Sequence, residues 1–508
     1  MIKRSPAGHG HADQRFVADT DRASAVVQGV FVRHSVRFAV AAAVAAASLT
    51  GSLMAVSAGS AVAAGSKLVD DFNGDGYSDL AIGMPEKTIS GEEDAGAVLL
   101  TFGSAHGLTK KHVYISQATA SIPGTPGYQD FFGSSLASGD LNRDGYADLL
   151  VGSENDASQN GSVTVLWGGT SPFHSALALP GGRSYPGRMF GADIAVGDFT
   201  GDSAPDIAVS GQTSLRLYSG TFSRTKAPAG IDVASSDITG SWNIAAGDFT
   251  GDGKDELAVV RHKSTLIFGQ TLGTTDADSF TTQARLPGGD NVAAGDINGD
   301  GRDDLAIAQY EPRLNGGGAA DPSHGAGYVT VRYGDSQIDG GLAPTGRIYH
   351  QNTAGIPGSN ESDDHFGAAL SIGDINGDHR AELAIGVPGE TLGHAKRGGD
   401  VLVLRGTSSG LTTNGAARYS QDTPGIPGTS ENNDVFGSQI RLADFNRDGK
   451  ADLAVSAPEE DPYRNQGSGA LWQLRGTSSG PNTQTATVFG PKDYDVAPGS
   501  GIGGTLLG

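Results

Sequence analysis

The chain has no cysteine among its 508 residues. Disulfides therefore contribute nothing to its stability, and thiolate ligation of zinc or copper is excluded. Aromatic residues make up only 7% of the chain, and beyond residue 65 no apolar run is long enough to span a bilayer. Lys and Arg number 35 against 57 Asp and Glu, for a formal charge of −22. Because binding phosphates requires clustered positive charge, nucleic acid is not an expected partner.

The long apolar segment of the sequence lies near the N-terminus. Arg33 and Arg37 precede an uncharged stretch over residues 38–65 that contains the small-residue pattern Ala-Val-Ala at 61–63. A basic region, an apolar region and such a pattern are typical of a secretory signal peptide. We expect residues 1–64 to be an N-terminal extension with a cleaved signal, which leaves a secreted chain without a membrane span. In the alternative, the signal stays uncleaved and anchors the protein.

Glycine is abundant, with 78 residues and no collagen-like period, which indicates many tight turns. The stretch DFNGDGYSDLAIG at residues 71–83 recurs six more times, from Asp140, Asp198, Asp248, Asp296, Asp374 and Asp444. A Phe-Gly pair and a strand-like segment precede several copies, and a third strand such as GDVLVLRGT follows. Each repeat thus predicts about four short strands. Seven such repeats predict an all-β, seven-bladed β-propeller over residues 67–508.

The first repeat lacks the strand that should precede its loop, because the loop begins soon after the predicted signal. The last residues, IGGTLLG at 502–508, match the register of FGSQIRL at 436–442. The sequence therefore predicts that the C-terminal strand completes the first blade and closes the ring non-covalently.

Each repeated loop has nine positions, with oxygen-bearing side chains at positions 1, 3, 5 and 9 and usually glycine at position 6. Alternating oxygens around one point suit a hard cation with six or more ligands, and calcium fits better than magnesium. The alternative is that Asp, Asn and Gly form plain polar turns. Turn chemistry does not require the Asp or Glu found at position 9 in all seven copies. We therefore predict up to seven structural calcium ions.

The predicted ligands are the side chains at positions 1, 3, 5 and 9 and the backbone carbonyl at position 7. In the first four loops they are Asp71, Asn73, Asp75, Tyr77 and Asp79; Asp140, Asn142, Asp144, Tyr146 and Asp148; Asp198, Thr200, Asp202, Ala204 and Asp206; and Asp248, Thr250, Asp252, Lys254 and Glu256. In the last three loops they are Asp296, Asn298, Asp300, Arg302 and Asp304; Asp374, Asn376, Asp378, Arg380 and Glu382; and Asp444, Asn446, Asp448, Lys450 and Asp452.

The seven loops are not equivalent. Thr200 and Thr250 replace the position-3 Asn, and Ser203 and His379 replace the position-6 Gly, where a positive φ is expected. We expect loops 1, 2, 5 and 7 to bind most tightly and loops 3 and 6 most weakly.

The repeated unit resembles the FG-GAP repeat. It consists of a Phe-Gly pair, a strand, a D-x-N-x-D-G-x-x-D loop and an apolar strand. FGAALSIGDINGDHRAELAIGVPGE from Phe366 and FGSQIRLADFNRDGKADLAVSAPEE from Phe436 carry the resemblance. The chain is similar, over nearly all of residues 67–508, to the seven-bladed propeller of integrin α subunits. This resemblance implies calcium in loops on one face and protein recognition on the other. Integrin heterodimer formation is not implied, because nothing identifies a β-type partner, and we expect a free-standing monomer.

One motif suggests an enzyme. GTSSG at residues 406–410 fits the G-x-S-x-G pattern of serine hydrolases. The same pentapeptide returns at residues 476–480, which indicates a repeated hairpin instead. We therefore expect a binding or adhesion module for a protein or glycan and no enzymatic activity; the alternative is a secreted hydrolase or lyase with its active site at the mouth of the propeller channel.

Irregular connections between repeats are the expected binding surface, because loops on a rigid scaffold usually carry recognition. The longer ones are residues 91–96, 119–130, 315–327, 355–364 and 424–434.

Overall fold

The apolar segments that follow the seven loops form strands that are buried along their length, as in LAIGM and DLLVGS. The computed structural model describes residues 69–156, 160–181, 189–212, 214–233, 243–270, 280–310, 322–323, 325–460, 467–497 and 499–507. These residues form seven four-stranded antiparallel sheets, so the predicted seven-bladed all-β propeller is confirmed. The extension and signal expected at residues 1–64 lie outside the described residues.

The first four blades, numbered in chain order, contain strands of two to eight residues. They are β1 (Leu80–Met84), β2 (Ala97–Thr101) and β3 (His112–Ile115); β4 (Ser135–Gly139), β5 (Asp148–Ser153), β6 (Ser162–Leu166) and β7 (Ala176–Ala178); β8 (Asp193–Gly197), β9 (Asp206–Gly211), β10 (Ser214–Tyr218) and β11 (Ile231–Asp232); and β12 (Asn243–Gly247), β13 (Glu256–Val260), β14 (Ser264–Gln270) and β15 (Phe280–Pro287).

The last three blades follow the same plan, and the final strand of the chain returns to blade 1. Their strands are β16 (Asn291–Gly295), β17 (Asp304–Gln309), β18 (Tyr328–Arg332) and β19 (Arg347–Tyr349); β20 (Ala369–Gly373), β21 (Glu382–Val387), β22 (Asp400–Arg405) and β23 (Thr412–Tyr419); β24 (Gln439–Ala443), β25 (Asp452–Ala457), β26 (Ala470–Arg475) and β27 (Asn482–Phe489); and β28 (Thr505–Leu506). A 3-10 turn, Pro491–Asp493, precedes β28.

Strand order runs outward through each blade, and the innermost strands of successive blades contact one another around the ring. Because neighbouring strands are antiparallel, the first-to-second and third-to-fourth connections lie at one end of every blade. We call this end the loop face, since it carries all seven nine-residue loops. The opposite end, with the second-to-third connections and the crossings to the next blade, is the rim face.

Packing between blades explains the Phe-Gly pair and the glycine of the second strand. A Cβ added to Gly386, in β21, would lie 2.1 Å from the carbonyl oxygen of Gly437, which belongs to the Phe-Gly pair of the next blade. Gly83 and Gly133 meet in the same way, at 2.2 Å. The backbones of adjacent blades therefore approach so closely that neither position accepts a side chain.

The ring closes as the sequence predicts. β28 pairs antiparallel with β1, with Leu506 opposite Ile82, and the Leu507 N–H donates to the Ala81 carbonyl at 2.9 Å. Ile502, Leu506 and Leu507 have no exposed surface.

Deleting residues 500–508 should lower the free energy of unfolding by several kcal/mol, because each fully buried Ile or Leu contributes about 1.5–3 kcal/mol. It would also expose the edge of β1. Calorimetric melting of the truncated chain, beside a control that lacks only Gly508, measures the effect. Equal melting temperatures for the two would show that β28 does not hold the ring closed.

Candidate functional site

The seven loops share one conformation, wound around the position-1 carboxylate. In the first loop, Asp71 Oδ1 accepts from the N–H groups of Gly74 at 2.7 Å and Asp75 at 3.1 Å, and Asp71 Oδ2 accepts from Gly76 at 2.9 Å. The position-5 carboxylate then accepts from the position-7 N–H, here Tyr77 at 3.1 Å. This last hydrogen bond is present in all six other loops. The sequence pattern therefore specifies one local fold.

Two positions of the loop need a positive φ. At position 6, Ser203 and His379 adopt φ of 61° and 64°, so they accept the glycine conformation expected there. Position 4 imposes the same demand, and Arg143 and Arg447 meet it in loops 2 and 7, with φ of 59° and 57°. A left-handed non-glycine residue costs roughly 1–2 kcal/mol. Loops 2 and 7 thus carry backbone strain at position 4. The predicted order of calcium affinities considered the required positive φ only at position 6 and did not include this strain.

The position-9 carboxylate is buried and ties each loop to its own blade. Asp79 has no exposed surface; its Oδ2 accepts from the Phe72 N–H at 3.1 Å and its Oδ1 from the Gly103 N–H at 2.9 Å. Gly103 begins the hairpin between the third and fourth strands. Position 9 makes the same hairpin contact in three other blades, through Gly168, Gly334 and Gly476.

Burial raises the pKa of the position-9 carboxyl in every loop, and the carboxylates at positions 1 and 5 raise it further. The pKa reaches about 8 for Asp79 and Glu256. It reaches about 7 for the others, which are Asp148, Asp206, Asp304, Glu382 and Asp452. Each loop thus places a buried acid where its ionised form lacks sufficient countercharge.

Several oxygens in the loops are buried without a hydrogen-bond donor. They include the position-3 amide oxygens Asn298 Oδ1 and Asn446 Oδ1. An unpaired buried acceptor beside like-charged carboxylates is satisfied by a hard cation, so the donor set fits one. Within the described ranges, however, no group of three or more Asp, Glu, His or Cys side chains is arranged closely enough to hold a metal ion.

Basic side chains supply part of the missing countercharge at position 5. Arg302 pairs with Asp300 at 2.7 Å from within its own loop. Arg224 reaches Asp144 at 2.8 Å from the neighbouring blade 3, and it also donates to the Gly168 carbonyl at 2.7 Å. Sequence spacing could not reveal Arg224, because it lies 80 residues from its partner.

Backbone hydrogen bonds link successive loops. The position-8 N–H of Ala147 donates to the Asp71 carbonyl of the preceding loop at 3.0 Å. The same link joins loops 3 to 4, 4 to 5, 5 to 6 and 6 to 7. Pro205 occupies position 8 of loop 3 and has no N–H, so it cannot bond to loop 2 in this way. Arg224 spans that seam instead.

The remaining candidates of the sequence divide between the faces. Both GTSSG segments form tight hairpins on the loop face, where Gly410 donates to Thr407 and Gly480 to Thr477, each at 2.8 Å. Segments 91–96, 119–130, 355–364 and 424–434 lie on the rim face, and most of 315–327 falls outside the described residues. Over the part of the chain that the structure describes, no helix is long and apolar enough to cross a membrane.

Comparison with known families identifies the repeat. The FG-GAP repeat matches residues 68–100, 132–166, 288–331, 366–404 and 436–472, and the FG-GAP-like repeat matches residues 198–259. All seven nine-residue loops fall within these segments.

Among similar proteins, integrin alpha-4 of Xenopus laevis is 29% identical over 144 residues, which are 27% of this chain and 13% of that protein. Integrin alpha-7 of Homo sapiens is 40% identical over 105 residues, 18% of this chain and 8% of that one. Phosphatidylinositol-glycan-specific phospholipase D of Bos taurus is 30% identical over 148 residues, 27% and 17% of the two chains. The matches thus span less than a fifth of these relatives.

Two solved structures are also similar. A lectin of Agrocybe aegerita that recognises terminal N-acetylglucosamine aligns with 87% of this chain and 97% of its own, at 13% identity and a TM-score of 0.47. AofleA of Arthrobotrys oligospora covers 77% and 93% at 11% identity and a TM-score of 0.37. Similarity at this level does not bear on what the chain binds.

The repeat family, its integrin relatives and the seven four-stranded blades agree with one another. The chain is an FG-GAP repeat protein with an integrin α-like β-propeller.

Proposed function

We propose that the protein is a secreted, monomeric, calcium-stabilised recognition module that binds a protein or a glycan through its rim face and is not an enzyme. The separation of the two faces carries this proposal. One face repeats the same oxygen-rich loop seven times, as a scaffold requires. On the other face three crossings share a Gln-x4-Ile-Pro-Gly pattern, and the remaining connections differ in length and sequence.

Calcium is the cation that best suits the loops. Positions 1, 5 and 9 place three carboxylates in each loop, and positions 3 and 7 add a neutral side-chain oxygen and a backbone carbonyl. In each loop these five groups would hold the ion, whose charge would keep the buried position-9 carboxyl ionised. Up to seven ions would then take the place of disulfides in a chain without cysteine.

The rim face suits recognition because its connections project from a rigid ring. Tyr128, in segment 119–130, is 62% exposed. Among the described residues, this is the largest exposed fraction of any exposed large hydrophobic side chain. An exposed aromatic side chain suits both protein interfaces and the apolar faces of sugars. The integrin relatives support a binding role. The phospholipase match covers only 17% of that enzyme, so we do not infer phospholipase activity from it. Secretion is supported by the signal-like pattern within residues 1–64.

Chelation of calcium should lower the melting temperature, and added calcium should restore it, because each empty loop holds like charges close together. Replacing one ligand, Asp304→Asn, should lower the bound calcium by one ion per chain. Asp339→Asn makes the same charge change at an exposed site of the same blade and should leave the calcium content unchanged. A melting curve indifferent to both chelator and calcium would contradict structural metal sites.

Stability should also depend on pH in a way that calcium reverses. The position-9 carboxyls have folded-state pKa values of about 7 to 8, above their usual 3.8 to 4.5. At pH values between these two ranges, the metal-free folded state therefore binds more protons than the unfolded state. This stabilisation is complete below the unfolded pKa values and is lost as pH rises through the folded ones. The metal-free chain should therefore melt at a lower temperature at pH 8 than at pH 5. With saturating calcium the fall should disappear, and a metal-free melting temperature that rises over this range would contradict the expectation.

Binding can be tested with residues 65–508 on a glycan array and in pull-down from extracellular material, each with calcium and with chelator. We expect calcium-dependent capture that Tyr128→Ala weakens about tenfold or more, as for an interface anchor worth over 1.4 kcal/mol. Ile231→Ala removes an exposed apolar side chain from the start of β11, at the loop-face end of blade 3, and should have no effect. Capture that persists in Tyr128→Ala but fails in Ile231→Ala would place the site elsewhere. Cleavage of the captured molecule would favour the hydrolase or lyase alternative.

A further inference from the structure

Two of the seven nine-residue loops have an arginine in the same place. In loop 2, Arg224 Nη2 donates to Asp144 Oδ2 at 2.8 Å, and in loop 5, Arg302 Nη2 donates to Asp300 Oδ2 at 2.7 Å. Asp144 and Asp300 both occupy position 5, so each arginine pairs with a predicted calcium ligand. We call loops 2 and 5 the arginine-paired loops.

Both arginines are anchored at the hairpin between the third and fourth strands of the blade. Arg224 Nη2 donates to the Gly168 carbonyl at 2.7 Å in blade 2, and Arg302 Nε donates to the Gly334 carbonyl at 3.3 Å in blade 5. The N–H groups of the same two glycines donate to the position-9 carboxylates of loops 2 and 5, at 2.9 Å and 2.8 Å. Each arginine therefore spans its loop from the position-5 carboxylate to the hairpin that holds position 9.

The two arginines reach this place from unrelated positions of the chain. Arg302 is position 7 of loop 5 itself, whereas Arg224 belongs to the hairpin between β10 and β11 of blade 3. Arg224 Nη1 also donates to Ser175 Oγ at 3.3 Å. A partly exposed ion pair usually contributes little, because fixing two long side chains costs entropy. Here other hydrogen bonds already hold the guanidinium, so its charge stays beside the loop.

The other five loops lack this arrangement. In loops 6 and 7, Arg380 and Lys450 stand 3.7 Å and 3.8 Å from the position-5 carboxylates, which is beyond hydrogen-bond length. In loops 1, 3 and 4, no Lys or Arg of the described residues forms an ion pair with the position-5 carboxylate. A close positive charge at position 5 thus distinguishes loops 2 and 5 from the rest.

Ligand type cannot account for any difference between loop 1 and the arginine-paired loops. Loops 1, 2 and 5 all have Asp, Asn, Asp, Gly and Asp at positions 1, 3, 5, 6 and 9. A cation bound through position 5 of loop 2 or loop 5 must share that carboxylate with a guanidinium, and like charges at short distance repel. In loop 1 the cation would meet no such charge.

We propose that Arg224 and Arg302 set the calcium affinity of loops 2 and 5. Each arginine supplies part of the countercharge of its loop, so the arginine-paired loops bind calcium more weakly than loop 1. This inference rests on the proposed binding of calcium by the nine-residue loops. It differs from the order that the ligand types alone predict, in which loops 1, 2 and 5 are among the tightest. Loop 1, in the blade that closes the ring, then fills at a lower calcium concentration than loops 2 and 5.

Calcium titration of the metal-free protein in competition with a chromogenic chelator tests the proposal. Arg302→Met keeps the aliphatic stem and removes the charge, so the affinity for one ion per chain should rise about three- to tenfold. Arg224→Met should do the same for a second ion. Adding Asp304→Asn to Arg302→Met removes a ligand of loop 5 and should abolish the gain, which assigns it to that loop.

Arg216→Met is the matched control. Arg216 pairs with Asp232 at 2.6 Å between β10 and β11, outside the nine-residue loops, and its loss changes the net charge equally. It should leave every calcium affinity unchanged. Arg302→Lys retains a positive charge at position 7 and should keep the affinity of loop 5 near that of the wild type.

Melting temperature gives a second readout that separates charge from structure. Without metal, Arg302→Met should melt below the wild type, because Asp300 loses its countercharge. With saturating calcium the deficit should disappear, since the ion replaces the arginine and binds more tightly in the variant. A purely structural arginine would cause the same deficit under both conditions, and that result would overturn the inference.

The titration also separates this inference from the proposed function. Wild-type protein that binds calcium with affinities unchanged in Arg302→Met and Arg224→Met would overturn the role of the arginines and leave the calcium sites standing. Wild-type protein that binds no calcium would contradict the proposed function and this inference together.

Discussion

The structure depends on one buried carboxylate per blade. At position 9 the side chain accepts hydrogen bonds from its own loop and, in at least four blades, from the hairpin beyond the third strand. It thereby joins three of the four strands at the loop face. The same burial makes its ionised form costly. The contact that organises a blade therefore belongs to the same side chain that we propose as a calcium ligand.

Close approach of the blades is the second constraint. The Phe-Gly glycine and the second-strand glycine face each other across a seam where no Cβ fits, and backbone hydrogen bonds connect successive loops. Where the pattern fails, another group replaces it: Arg224 bridges the seam at which Pro205 has no N–H, and β28 supplies the strand missing from blade 1. Each exception preserves continuity around the ring, because an open seam would expose the apolar faces of two blades.

Negative charge is concentrated on both faces, in different arrangements. On the loop face the carboxylates are close in sequence and belong to one turn. On the rim face, Gln117 and Gln351 of two crossings donate to acids of the following blade, Asp156 and Glu390. With a formal charge of −22, the chain has a surplus of acids that the proposed calcium ions would reduce.

Sequence alone determined the repeat, the four strands of each blade, the nine-residue loops and the closing strand, because these features depend on local spacing and on the alternation of apolar residues. It also indicated that Ser203 and His379 must adopt a positive φ. Only the tertiary structure decided which residues lie beside one another across the fold, as in the hairpin contact of Asp79 and the approach of Arg224 to Asp144. These partners are 24 and 80 residues apart, and no local pattern of the sequence relates them.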